Sequence, residues 1–133
     1  LELYRQVARL SSWLKKNGIK KGDRVAGFLP NMPETVISML ATASLGAVWT
    51  SCSPDFGVQG VLDRFGQVKP KVFICVDGYY YNGKEFSCLE KNQKIVSQLP
   101  TVENTLLVRF INDSSEFLDL SQSFFFDENC QRT

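Results

Sequence analysis

The run Ser53-Pro54-Asp55-Phe56-Gly57 puts a hydroxyl, a carboxylate and a flat aromatic ring into five consecutive positions. It follows a short apolar stretch, Ala47-Val48-Trp49-Thr50, and precedes Val61, Leu62, Phe65 and Val68 at helical spacing. That order makes it a strand-to-helix loop, and in open α/β sheets ligands bind at that edge. Pro54 stiffens the loop, Gly57 permits close backbone approach, and Phe56 offers a flat apolar face. Asp55 equally fits a cap on the helix that follows. From residue types alone the run reads first as a turn and second as the wall of a site.

Other chemistry is thinner. The chain has no histidine, which removes every Ser-His, Cys-His and His-zinc arrangement within these 133 residues. Cys52, Cys75, Cys88 and Cys130 lie far apart with no C-x-x-C pair; Cys75 sits in an apolar run and reads as a small hydrophobe. A reducing compartment suits that usage better than a disulfide frame. The turn after the first predicted strand, Pro30-Asn31-Met32-Pro33, contains no glycine, so it is not a dinucleotide fingerprint, and no G-x-x-x-x-G-K-[ST] loop occurs anywhere. With 15 basic and 14 acidic residues the net charge is +1, which offers no basic face to nucleic acid. No run is long enough to span a bilayer. Leu1-Glu2-Leu3-Tyr4-Arg5-Gln6 is not a leader, and a start without Met predicts a segment of a longer protein.

The elements that must position the loop follow from periodicity. Leu3, Val7, Leu10 and Leu14 form one stripe of a helix that Gly18 should stop. Val25-Ala26-Gly27-Phe28-Leu29 and Lys71-Val72-Phe73-Ile74-Cys75-Val76 read as strands buried on both faces. Residues 34–45 are apolar on most sides and predict a helix covered on more than one face. Ser87 and Glu90 fit a capping box for a helix carrying Leu89, Ile95, Val96 and Leu99, and Glu90 with Lys94 forms an i,i+4 pair. Thr105-Leu106-Leu107-Val108-Arg109-Phe110 is a fourth strand. The alternation α-β-α-β-α-β-α-β predicts an α/β fold with a mainly parallel sheet and helices on both faces. Asn112-Asp113-Ser114-Ser115 reads as a loop, and Phe124-Phe125-Phe126 as an exposed triplet in a truncated or altered ending. The domain is therefore expected to occupy residues 1–111, with a loop and tail over 112–133.

Several motifs resemble one family. Gly18-Ile19-Lys20-Lys21-Gly22-Asp23-Arg24-Val25, followed by Leu29-Pro30-Asn31, is similar to the opening of the adenylate-forming acid–CoA ligase domain. Gly46-Ala47-Val48-Trp49-Thr50-Ser51 resembles that family's next strand. The run from Ser53 through Gly57 to Phe65, and Tyr81-Asn82-Gly83-Lys84, resemble its acetoacetyl-CoA synthetase branch. The fold implied is part of the AMP-binding N-terminal domain.

The resemblance implies a two-step reaction. ATP turns a carboxylate into an acyl-adenylate and pyrophosphate, and the CoA thiol then displaces AMP, with Mg²⁺ and cationic groups offsetting phosphate charge. Acetoacetate, ATP and CoA would be the substrates and the cytosol the compartment. Ser53, Pro54, Asp55, Tyr81, Asn82, Gly83 and Lys84 would border the CoA adenine and its ribose phosphate. Lys84 stands where acetyl-type relatives tend to carry arginine, keeping the charge without the bidentate fork; it reads equally as a solvated lysine. Tyr81 departs further, because the acetyl type is basic there. Tyr79 and Tyr80 read as packed strand residues. The family's glycine-rich phosphate loop, its acyl pocket and its catalytic lysine have no counterpart here, so no catalytic residue and no metal ligand is expected, and the missing remainder of the domain is the implied partner. The alternatives are a non-catalytic remnant or interaction module and a nucleotide-binding oxidoreductase domain. A domain with uncovered apolar helix and triplet would be prone to aggregate.

Overall fold

A strand that is apolar at every position needs cover on both faces, and residues 72–76 receive it. The computed structural model describes residues 2–111 and 123–127. Its helices are α1 (Glu2–Lys16), α2 (Pro33–Ser44), α3 (Val58–Val68) and α4 (Leu89–Ser97). Its strands are β1 (Arg24–Phe28), β2 (Val48–Cys52), β3 (Val72–Val76), β4 (Gly78–Tyr81), β5 (Lys84–Ser87), β6 (Asn104–Val108) and β7 (Ser123–Phe125). Five strands form one sheet in the order β2-β1-β3-β6-β7, every neighbour pair parallel. The remaining two, β4 and β5, form an antiparallel hairpin. The α/β fold with a mainly parallel sheet is as the alternation predicts.

Side-chain alternation divides the core. Val72, Ile74 and Val76 of β3 join Leu10, Trp13 and Leu14 of α1 and Ile37 and Ala41 of α2. Phe73 and Cys75 point the other way, to Val61 and Phe65 of α3 and Ile95 of α4. Chain direction explains which helix covers which face. The chain steps from β1 outward to β2, then returns across β1 to β3 and continues to β6. Crossovers of one hand place helices for opposite steps on opposite faces. Hence α2 shares one face with α1, while α3 and α4 share the other.

Local chemistry sets the ends. Gly18 adopts φ +90°, its N–H donates to Lys15 O at 3.1 Å, and the Ile19 N–H donates to Leu14 O at 3.0 Å. This Schellman closure ends α1 where the glycine predicts. Glu90 and Lys94 pair at 3.3 Å as expected, on an exposed surface where such a pair is worth only a few tenths of a kcal/mol. The expected capping box does not form. Ser87 is still in the hairpin ladder, opposite Gly78, so Cys88 occupies the cap position and makes no side-chain cap bond; Ser87 Oγ accepts instead from the Leu89 N–H at 3.4 Å.

Two further expectations are corrected. Helix α2 buries one face, through Ile37, Ser38, Ala41 and Thr42, while Val36, Met39 and Leu40 are exposed. Small hydroxyl residues fit the close helix–sheet contact because Ser38 Oγ donates to Glu34 O and Thr42 Oγ1 to Ser38 O, each at 2.7 Å. The Phe124–Phe126 triplet is not an exposed ending: β7 adds to the edge of β6, with Phe125 and Phe126 buried in the two opposite cores. The predicted loop Asn112-Asp113-Ser114-Ser115, Cys130 and the rest of the tail lie outside the described residues.

Gly27 of β1 shows how tightly the first face is filled. A Cβ there would overlap Cη2 and Cζ2 of Trp49, whose indole lies across β1. Gly27→Val should therefore destabilise the chain by about 1–3 kcal/mol through overpacking, read as a lower urea midpoint in tryptophan fluorescence. Gly57→Ala, where the added carbon meets nothing within 4 Å, serves as the comparison.

Candidate functional site

The carboxyl ends of β1 and β3 lie at the point where the strand order reverses, the edge at which open α/β sheets bind ligands. Three segments converge on it: the loop after β2, the β4–β5 hairpin after β3, and the first turns of α4.

The loop leaves buried Cys52 and runs through buried Pro54, with Ser53, Asp55, Phe56 and Gly57 exposed. The Phe56 N–H donates to Ser53 O at 3.1 Å, closing a turn. Gly57 caps α3 without a side-chain bond, so Asp55 is not the helix cap its position suggested. Lys91 of α4 reaches under the loop, its Nζ donating to Pro54 O at 2.8 Å and to Phe56 O at 3.1 Å. The same ammonium lies 5.9 Å from the Phe28 ring centroid.

The hairpin answers to Asn82 and Gly83. Both have positive φ, 51° and 74°, as a two-residue type I′ turn requires, and Asn-Gly is its strongest sequence signal. Cross-strand register then sorts the side chains. Tyr79 faces Phe86 with rings stacked at 5.3 Å, and Tyr81 faces Lys84, so these four share one face. Tyr80 lies on the other and meets Phe110, beyond β6, edge-on at 5.7 Å. Tyr79 is half-buried, as a packed residue should be, whereas Tyr80 is exposed. At the base Gly78 is obligatory, because a Cβ would run into Phe86 O and Ile111 Cδ1.

Of the residues named from sequence, Ser53, Pro54 and Asp55 share the loop, Tyr81 and Lys84 oppose each other at the hairpin tip, and Asn82 and Gly83 form the turn itself. Among the described residues no hydrogen bond or ion pair joins tip to loop. The Tyr79 hydroxyl is pushed up by burial, by Cys88 and by the Asp55 carboxylate.

Three residues that sequence reasoning passed over organise this edge. Asp77 is fully buried; its Oδ1 accepts the N–H groups of Phe110 at 2.9 Å and Ile111 at 3.0 Å, and its carbonyl accepts the Cys88 N–H at 2.8 Å. Asn92, also fully buried, donates from Nδ2 to Val76 O at 2.9 Å, while its Oδ1 has no protein partner. Lys91 is the third. A polar group flanking the start of an otherwise amphipathic helix, beside the strand end it follows, was the available signal.

Among the described residues, Cys52, Cys75 and Cys88 are all buried. Burial pushes Cys88 up to about 11, Lys91 opposing and Asp77 reinforcing. Burial also holds Cys75 well above the ordinary thiol value, with Cys88 and Asp77 adding.

Residues 1–128 match the family model described as AMP-binding enzyme. The chain belongs to the AMP-binding enzyme family. Within it, the acetoacetyl-CoA synthetase of Macaca fascicularis is 48% identical over 130 residues, 96% of this chain and 19% of that protein. The acetoacetyl-coenzyme A synthetase of Rhizobium meliloti is 54% identical over 114 residues, 86% of this chain and 17% of that one. The solved acetoacetyl-CoA synthetase from Streptomyces lividans superposes with a TM-score of 0.91 at 41% identity, covering 98% of this chain and 20% of its own. The resemblance drawn from Gly18–Val25 and from Gly46–Phe65 is thereby borne out. This AMP-binding enzyme segment spans about a fifth of the length of these relatives.

Because Cys88 ionises near its ordinary value of 9.0 when unfolded and near 11 when folded, the unfolded chain binds fewer protons between those limits. The stability contributed by the neutral thiol is whole below pH 9 and lost as pH rises through 11. Urea midpoints of this AMP-binding enzyme segment should therefore fall over that window, and Cys88→Ala should flatten the fall.

Proposed function

We propose that this chain is the part of an acetoacetate–CoA ligase that meets the nucleotide end of CoA. The ligase would convert acetoacetate, CoA and ATP to acetoacetyl-CoA, AMP and pyrophosphate. The observation that most supports the reading is the hairpin face on which Tyr79, Tyr81, Lys84 and Phe86 stand together, at the ligand-binding edge of the sheet. An adenine ring stacks on an aromatic side chain, and the Lys84 ammonium suits a ribose phosphate as a point charge. The exposed Ser53 hydroxyl and Asp55 carboxylate offer partners to ribose hydroxyls or to an exocyclic amine, on a loop that Pro54 stiffens. Asn82 and Gly83 hold Tyr81 opposite Lys84.

CoA, when bound, supplies the thiol that displaces AMP. Binding its distant nucleotide end orients that thiol, and binding energy from a remote group can be used at the reacting centre. ATP and Mg²⁺ belong to the whole ligase. Among the described residues no cluster of three or more His, Cys, Asp or Glu could hold a metal, and no residue of this chain is proposed as a ligand for Mg²⁺. The acetoacetate specificity and a cytosolic location are carried by likeness to the acetoacetyl-CoA synthetase branch. No helix of the described residues is long and apolar enough to cross a membrane.

Calorimetric titration tests the reading. The chain should bind CoA, bind dephospho-CoA more weakly, and lose about tenfold in CoA affinity in Lys84→Ala, which should bind the two ligands alike. Equal affinity for both ligands in the unaltered chain would remove Lys84 from the site. Preference for NAD over CoA would favour an oxidoreductase domain instead. The chain alone should drive no acetoacetate-dependent exchange of pyrophosphate into ATP, since none of its turns is a glycine-rich phosphate loop.

A further inference from the structure

Lys91 belongs to α4, yet its ammonium serves a loop two strands away. The helix follows β3, the loop follows β2, and β1 lies between them, a separation of about 10 Å at the usual strand spacing. The side chain bridges that gap over Phe28, the last residue of β1.

Its contacts are of an unusual kind for a lysine. Among the described residues no carboxylate pairs with it; it donates to two main-chain carbonyls, those of Pro54 and Phe56. An ammonium has three donors in fixed tetrahedral relation. Spending two of them on carbonyls two residues apart fixes the curvature of the loop as well as its position. With those carbonyls turned inward to Lys91, Ser53 and Asp55 remain exposed on the outer surface. Charge-assisted bonds of this type are stronger than neutral ones, and the one to Pro54 O is part-buried.

The geometry points to Lys91 as the positioning residue of the Ser53–Gly57 loop: it shapes the surface on which the CoA nucleotide rests without touching the nucleotide. This rests on the CoA reading above. It adds a claim that reading does not contain, namely that affinity for the nucleotide is set from α4, through main-chain carbonyls, across the switch point of the sheet.

The test compares the unaltered chain with Lys91→Met, Lys91→Arg and, as a control on the same helix, Lys94→Met, which among the described residues pairs with exposed Glu90. Three quantities are read on each: amide hydrogen exchange at residues 55–57, CoA affinity by calorimetry, and the urea midpoint. Lys91→Met should speed exchange of the Phe56 N–H and weaken CoA by about tenfold, the loss expected for a charge-assisted bond pair. Lys91→Arg, which keeps a cation with several donors, should recover most of both, and Lys94→Met should change neither. A variant with lowered midpoint but unaltered CoA affinity and loop exchange would reduce Lys91 to a stabilising contact and overturn the proposal. Faster exchange with unaltered CoA affinity would overturn its bearing on the ligand. If the unaltered chain binds no CoA, the ligand reading falls, and the exchange rates still decide whether Lys91 shapes the loop. Should Lys91→Met not fold, Lys91→Gln, which keeps N–H donors at shorter reach, takes its place.

Discussion

Phe73 and Cys75 enter one core while Val72, Ile74 and Val76 enter the other, and this two-sided burial of β3 constrains the rest of the chain. A strand with no polar face cannot lie at a solvated edge, so β1 and β6 must flank it. It cannot tolerate an open face either, so helices must cover both sides. Parallel neighbours need long crossovers, and α2, α3 and α4 are crossovers that provide cover, with α1 beside α2. Gly27 and Trp49 are the fine adjustment: the one gap in the side-chain layer of β1 is filled by an indole from β2.

The same constraint produces the polar edge. Where β3 ends, its backbone groups leave the sheet and must be satisfied in a buried setting. Asp77 and Asn92 do this work, taking N–H groups from the loop after β6 and supplying one to Val76 O. A buried carboxylate is tolerable only when hydrogen-bonded, and Asp77 meets that condition through Phe110 and Ile111. Asn92 meets it through Nδ2, which donates to Val76 O. The start of α4 is thus built for holding neighbouring segments rather than for an efficient cap, which accounts for the missing capping box.

Regular elements were legible in the sequence because each carries its own period. The stripe of α1, the apolar runs of β1, β3 and β6 and the glycine stop at Gly18 needed no tertiary information. The hairpin carries a turn signal in Asn82-Gly83, yet the tyrosine run before it reads as packed strand residues unless the turn chemistry is weighed first. β7 was not legible in the same way. A run of three phenylalanines has no period, and only a partner strand and two separate cores give its side chains different destinations. Asp55 illustrates a further limit: a carboxylate two residues before a helix fits a cap by type, and only the backbone of Gly57 excludes it. Lys91 was legible only as a polar residue at the start of α4, because its partners are carbonyls, which every residue possesses.

The candidate site is also local in the chain. Its loop, hairpin and α4 all come from residues 53–97, and the strands that orient them, β2 and β3, lie in one sheet with β1 between them. Local contiguity lets a shaped edge form from one stretch of chain: holding a ligand needs such an edge, whereas catalysis needs groups that act in the transition state. The three buried thiols fit that division, being held protonated and inaccessible where a nucleophile would have to be exposed and ionised. A segment spanning about a fifth of its relatives' length can therefore carry a binding preference of its own.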